Sequence, residues 1–233
     1  MATYLICHGA WSGGWSWKTV RALLAAAGHE IYAPSYTGLG ERAHLASPMV
    51  GLETHIQDIV SLIAFEDLTD LILVAHSYGG MVATGVGDRL PERIRHLVYL
   101  DALVPADGQS VCDLVGPRAA TVDGWLIPHP DSGPNPESGA GALQQGEQWA
   151  ASRHRHHPAA CFTDRIRLSP AAATPPFRRS YIHCTVKTGT DLFRPFADRL
   201  CTDPDWTFHE MATGHSPNMT DPETLAALLL ALA

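Results

Sequence analysis

The sequence has little with which to hold a polyanion. Sixteen lysines and arginines stand against twenty-four aspartates and glutamates, a net charge of −8, and no basic block interrupts the chain. Nucleic acid and anionic membrane surfaces are therefore not expected partners. Long apolar runs are also missing. The richest one lies at 225–233, far short of the roughly 20 residues that span a bilayer. No basic segment followed by an apolar leader precedes the first apolar run at 3–7, so no signal peptide is read. Cysteine is scarce and unpatterned: Cys7, Cys112, Cys161, Cys184 and Cys201 are odd in number and contain no Cys-x-x-Cys. Such thiols suit a reducing compartment, and a cytoplasmic location is expected. Repeats are absent. What remains is 233 residues, 45% hydrophobic and 17% charged, the balance of one globular domain rather than a disordered chain.

The most informative stretch is Leu71-Ile72-Leu73-Val74-Ala75-His76-Ser77-Tyr78-Gly79-Gly80. An apolar strand runs into small residues around a serine, and a helical pattern begins at once behind it. This is the pattern of a nucleophile elbow with Ala75 in place of the first glycine. The turn is sharp, so the positions two before and two after the serine must lack bulk. The helix behind Ser77 aims backbone N–H groups at charge developing on a substrate.

The chain around it alternates. Strands are expected at 3–7, 30–33, 71–74, 94–100, 180–185 and 206–210. Helices are expected at 15–27 (closed by Gly28), 52–65, behind the elbow, at 193–200 and at 221–233. Alternating strands and helices imply an α/β fold with a mostly parallel sheet covered on both faces. The alternation breaks between about 106 and 179. That segment reads as a cap inserted after the strand that follows the elbow, without strands of its own and helical near 140–152. The whole chain is one domain, 1–233, carrying that cap. Trp125 and Trp149 are candidate pocket walls, or equally the cap's packing contacts. His154, His156 and His157 lack metal-ligand spacing and read as a solvated face. No metal and no cofactor is expected.

A serine hydroxyl needs a base within hydrogen-bond reach. His215 sits in a Gly-His loop after the last strand, on the sheet edge that carries the elbow. His8 precedes the Gly-rich loop after the first strand and is expected to brace it. The N–H groups of Ala10 and Tyr78 are candidate oxyanion donors. A carboxylate must then orient the base. Asp101 ends the strand expected beside the elbow strand, and Asp191 lies in the loop after the next-to-last strand.

The residues His8-Gly9-Ala10-Trp11-Ser12-Gly13-Gly14-Trp15-Ser16-Trp17, Gly28-His29, Gly38-Leu39-Gly40, His76-Ser77-Tyr78-Gly79-Gly80 and Thr213-Gly214-His215 resemble the α/β-hydrolase superfamily. Within it they are similar to the esterase and hydroxynitrile-lyase group that includes plant methylesterases and bacterial relatives. The resemblance implies Ser77 as nucleophile, His215 as general base and a Ser-acid-His chain order. The lyases of that group carry a lysine directly after the catalytic histidine, and Ser216 stands there, which favours ester hydrolysis. The group's usual acid slot falls on Thr190, with Asp191 one residue late. Other superfamily members keep the acid after the strand following the elbow, where Asp101 lies, and Asp101 is preferred. The expected protein is a carboxylesterase-like serine hydrolase of a small to medium, largely apolar ester. A lyase, cyclase or decarboxylase on the same fold, or a non-catalytic small-ligand binder, is the alternative. Oligomeric state is not legible, and a homodimer remains open.

Overall fold

A computed structural model of the chain describes residues 1–118, 122–130, 149–170 and 174–233. Six strands form the main sheet: β1 (Thr3–Cys7), β2 (Glu30–Tyr32), β3 (Leu71–His76), β4 (Ile94–Leu100), β7 (Arg178–Cys184) and β8 (Trp206–Met211). Their spatial order is β2-β1-β3-β4-β7-β8, and every neighbouring pair is parallel. The elbow strand β3 is therefore flanked by β1 and β4. All six strands present their carboxyl ends at one edge, where ligands bind in open α/β sheets.

Each central strand is apolar on both faces, and alternate residues serve different cores. Leu5, Leu71, Leu73, Leu97, Tyr99 and Tyr181 pack with α2 (Leu52–Phe65) and α3 (Gly79–Arg89), through Ile56, Ile59, Ile63, Val82 and Val86. Tyr4, Ile6, Ile72, Val74, Val98 and Ile182 face the other way, against Val20 and Leu24 of α1 (Lys18–Ala26) and Leu225 and Leu229 of the closing helix Pro222–Ala231. Burying each such side chain contributes about 1.5–3 kcal/mol, so the sheet is held rigidly from both sides. Helix α1 ends as its sequence predicts. Gly28 takes φ +84°, and the N–H groups of Gly28 and His29 close back onto the carbonyls of Ala25 and Leu24.

Between β4 and β7 the chain leaves the sheet. This segment does carry strands, contrary to the expectation. β5 (Leu126–Ile127) pairs antiparallel with β6 (His157–Pro158) in a small ribbon. Both strands are two residues long, too short for any periodicity to announce them. Short helices stand at Val111–Val115 and Ala160–Thr163. The helix expected at 140–152 lies mostly outside the described residues, and residues 149–151 are helical. No helix among the described residues is long and apolar enough to cross a membrane.

Candidate active site

The loops after β1, β3, β4 and β8 meet at the carboxyl edge. Ser77 follows β3 directly and takes φ +55°, a left-handed conformation that a serine adopts only under constraint. The constraint is visible. Ser77 N–H donates to the Leu100 carbonyl at 3.3 Å, and its own carbonyl accepts from Leu103 N–H at 3.1 Å and Gly80 N–H at 3.1 Å. A Cβ at Gly79 would collide with the Cys7 carbonyl, and one at Gly80 with the Leu103 carbonyl. The two glycines let α3 start close against β1 and the loop after β4.

His215 Nε2 lies 3.0 Å from Ser77 Oγ, and His215 Nδ1 lies 2.6 Å from Asp101 Oδ2. A carboxylate beside Nδ1 fixes the proton there, which leaves Nε2 to accept from the serine hydroxyl. The imidazole is also clamped. Its ring stacks on Phe193 at 4.7 Å, and its backbone carbonyl accepts from His76 Nε2–H at 2.7 Å. Burial lowers the His76 imidazole to about 3, so it stays a neutral donor.

Asp101 is fully buried and also takes positive φ, +42°. Its Oδ2 receives a second donor, Lys187 Nζ, at 2.6 Å, and its Oδ1 accepts from Cys184 N–H at 3.2 Å. Burial alone would raise its carboxyl. The bonds from His215 and then Lys187 outweigh it and hold the group below the ordinary carboxylate range. Asp191 stands elsewhere. It accepts from His183 Nε2 at 2.9 Å and from Phe193 N–H at 3.0 Å, and Lys187 lies 3.5 Å away. Lys187 thus ties the two carboxylates together, and only Asp101 touches His215.

His8 braces its loop. Its Nδ1–H donates to the Gly9 carbonyl at 2.8 Å and its Nε2 accepts from Tyr36 N–H at 3.2 Å. Burial lowers it to about 4. The N–H groups of Ala10 and Tyr78 have no acceptor among the described residues, whereas Trp11 N–H donates to His157 Nδ1 at 3.1 Å.

The three cap histidines are not one solvated face. His156 is exposed, but His157 is fully buried beside the elbow. Pairing of β6 with β5 turns that ring inward, away from its exposed neighbour. It meets Tyr78 nearly edge-on at 4.9 Å. His55, also buried, accepts from the Tyr78 hydroxyl through Nδ1 at 2.9 Å and donates from Nε2 to the Thr37 carbonyl at 2.9 Å. His55, His157 and Cys161 converge closely enough to suggest a metal. The hydrogen bonding opposes it. Since His157 Nδ1 accepts an amide N–H, the neutral ring carries its proton on Nε2 and has no lone pair left to give. Trp149 packs edge-on against Trp15 at 5.2 Å and under the Arg153 guanidinium at 4.3 Å.

Sequence reasoning missed His55, His76, His157 and Lys187. His76 lies in the elbow stretch and Lys187 in the loop that carries Asp191, and the partner of each, the His215 carbonyl and Asp101, is remote in sequence. Nothing in the sequence around His55 or His157 distinguishes them from surface histidines.

Comparison with known proteins bears on the family and the fold. The family model described as "Alpha/beta hydrolase family" matches residues 4–228. The carbendazim hydrolyzing esterase of Nocardioides sp. (strain SG-4G) is 53% identical over 119 residues, 51% of this chain and 49% of that protein. Salicylic acid-binding protein 2 of Nicotiana tabacum is 31% identical over 103 residues, 44% of this chain and 40% of that protein. In these alignments the chain spans half or less of the curated relatives' length. Among solved structures, an extracellular alpha/beta-hydrolase from a Paenibacillus species superposes with TM-score 0.80 at 25% identity, covering 99% of this chain and 98% of that one. A methylesterase protein from Arabidopsis shares the fold, with TM-score 0.77 at 22% identity, covering 100% and 98%.

Proposed function

We propose, from the premise that the chain belongs to the alpha/beta hydrolase family, that it is a serine hydrolase of small to medium, largely apolar carboxylic esters. The observation that carries this reading is the unbroken hydrogen-bond path Ser77 to His215 to Asp101 at 3.0 and 2.6 Å. Esterases among the relatives support the substrate class.

The reaction follows from the path. Ser77 Oγ attacks the ester carbonyl while His215 Nε2 takes its proton. Asp101 keeps Nδ1 protonated and stabilises the imidazolium. The negative charge gathers on the former carbonyl oxygen, between the N–H groups of Ala10 and Tyr78. The C–O bond then breaks, and the proton on His215 leaves with the alcohol. Water repeats the sequence on the acyl-enzyme: it gives a proton to His215 as its oxygen joins the acyl carbon, and His215 returns that proton to Ser77 Oγ as the acid leaves. Residues of about 106–179 act as the cap over this site. Five free thiols, three of them buried, support a cytoplasmic setting.

The test is hydrolysis of p-nitrophenyl butyrate and labelling by a fluorophosphonate. The wild type should turn over ester and take the label, and Ser77→Ala should do neither. Turnover that survives Ser77→Ala refutes the mechanism. Ligand binding without turnover or labelling favours a non-catalytic role.

A further inference from the structure

Trp11, next to the candidate oxyanion donor Ala10, is held in a left-handed conformation at φ +60°. A bulky residue rests there only where its surroundings over-determine it. Those surroundings are the β5–β6 ribbon. Trp11 N–H donates to His157 Nδ1 at 3.1 Å, its indole Nε1–H donates to the Ile127 carbonyl at 3.0 Å, and its own carbonyl accepts from Arg155 N–H at 3.1 Å. All three partners lie between β4 and β7 in sequence, and two belong to the paired strands themselves. Every polar group of Trp11 is thereby spoken for by the ribbon and by Arg155 just before it.

His157 is built for this contact. Its ring is fully buried, edge-on to Tyr78 at 4.9 Å and to Phe162 at 5.0 Å. Burial holds it well below its ordinary value, so it remains neutral and can accept through Nδ1. Its Nε2 has no hydrogen-bond partner among the described residues. A buried donor left unsatisfied is destabilising, and a residue serving packing alone would avoid that by being apolar.

We propose that His157 is a positioning residue of the oxyanion hole: the β5–β6 ribbon, through His157 and Ile127 and with Arg155 beside it, fixes Trp11 and so aims the Ala10 N–H at the reacting carbonyl. The proposal rests on the hydrolase reading above. The oxyanion hole is then complete only while the ribbon is seated, which couples the cap to the chemistry and not to substrate contact alone.

The test compares His157→Leu, which keeps the volume and removes the acceptor, with His157→Asn, whose Oδ1 takes the place of Nδ1. The readouts are kcat and KM for p-nitrophenyl butyrate, the affinity of a trifluoromethyl ketone that forms a tetrahedral adduct, and thermal unfolding. Losing a whole oxyanion donor costs about 10²–10³-fold in kcat. Misaiming one should cost His157→Leu about 10- to 100-fold in kcat, with the ketone weakened by a like factor and KM within about twofold. His157→Asn should recover most of the loss. Unchanged kcat in His157→Leu overturns the proposal, as does a loss confined to KM with ketone affinity intact, or an Asn variant as poor as Leu at equal stability.

Trp11→Gly guards against misfolding of the single variant, because glycine holds φ +60° without a clamp. If the clamp acts through that backbone, the effect of His157→Leu should largely vanish in the Trp11→Gly background, and additive effects refute it. Failure of the hydrolase reading has a different signature. The wild type itself then takes no fluorophosphonate label at Ser77, and the proposal falls with it.

Discussion

Replacing Asp101 with asparagine alters one atom and one charge where three donors converge. Oδ2 accepts from His215 Nδ1 and Lys187 Nζ, both at 2.6 Å, while Oδ1 accepts from Cys184 N–H at 3.2 Å. An amide can be seated in two ways. With its oxygen in the Oδ2 position, the NH2 faces Cys184 N–H, a buried donor against a donor, costing about 1–3 kcal/mol. His215 keeps its tautomer but loses the charge that stabilises the imidazolium. With its NH2 in the Oδ2 position, Lys187 must swing toward Asp191, 3.5 Å away. His215 then carries its proton on Nε2 and cannot accept from Ser77, the situation that lowers kcat by about 10⁴ in related triads. The expected loss in kcat therefore lies between about 10² and 10⁴, and the seating sets where. Asp191→Asn is the control. It leaves both His215 bonds intact and perturbs only His183, Lys187 and the N–H of Phe193, whose ring stacks on His215. A few-fold loss is expected. Steady-state p-nitrophenyl ester kinetics on both variants, with urea melts to confirm folding, decide the matter. If Asp191→Asn loses more than Asp101→Asn, or if Asp101→Asn stays near wild type, the assignment of the acid is wrong.

Two further outcomes follow from the buried groups. His8 and His55 are lowered to about 4 and His76 to about 3 by burial. Above the unfolded value of about 6.5 these groups are neutral in both states and contribute nothing. Below it the unfolded chain takes up protons that the folded chain refuses, so stability falls with pH. Each histidine contributes about 1.4 kcal/mol per pH unit between the two values, and urea midpoints should drop steeply from pH 6 to 4. A flat profile over that range contradicts neutral burial. Gly79→Ala should destabilise the fold by about 1–3 kcal/mol or more, because its Cβ meets the Cys7 carbonyl, which cannot move without parting β1 from the elbow. A urea midpoint equal to wild type contradicts that close approach.

How far the sequence could be read depended on what kind of signal each part emits. The sheet was legible because both faces of its strands are apolar and its helices repeat at 3.6 residues. β3, β4 and the helix Leu52–Phe65 differ from expectation by two residues at most. Ser77 and His215 stood out because a strained elbow and a Gly-His loop need small residues at fixed offsets. The choice between Asp101 and Asp191 was less legible. Which one reaches the imidazole depends on strand order and on where Lys187 lies, and neither is local.

The ribbon and His157 were illegible for a deeper reason. Two-residue strands have no period, and a histidine flanked by the exposed His156 carries no mark of burial. What fixes His157 is Trp11, 146 residues away. The three non-glycine residues of positive φ around the site, Trp11, Ser77 and Asp101, share this property. Each costs on the order of 1–3 kcal/mol and survives only where distant partners impose it. For Ser77 the partners are Leu100 and Leu103, for Asp101 they include Ile182, and for Trp11 they are the ribbon. The first two sets belong to the rigid sheet and its edge. The third belongs to the segment between β4 and β7, so of the three strained positions Trp11 is the one whose strain is imposed from beyond the sheet.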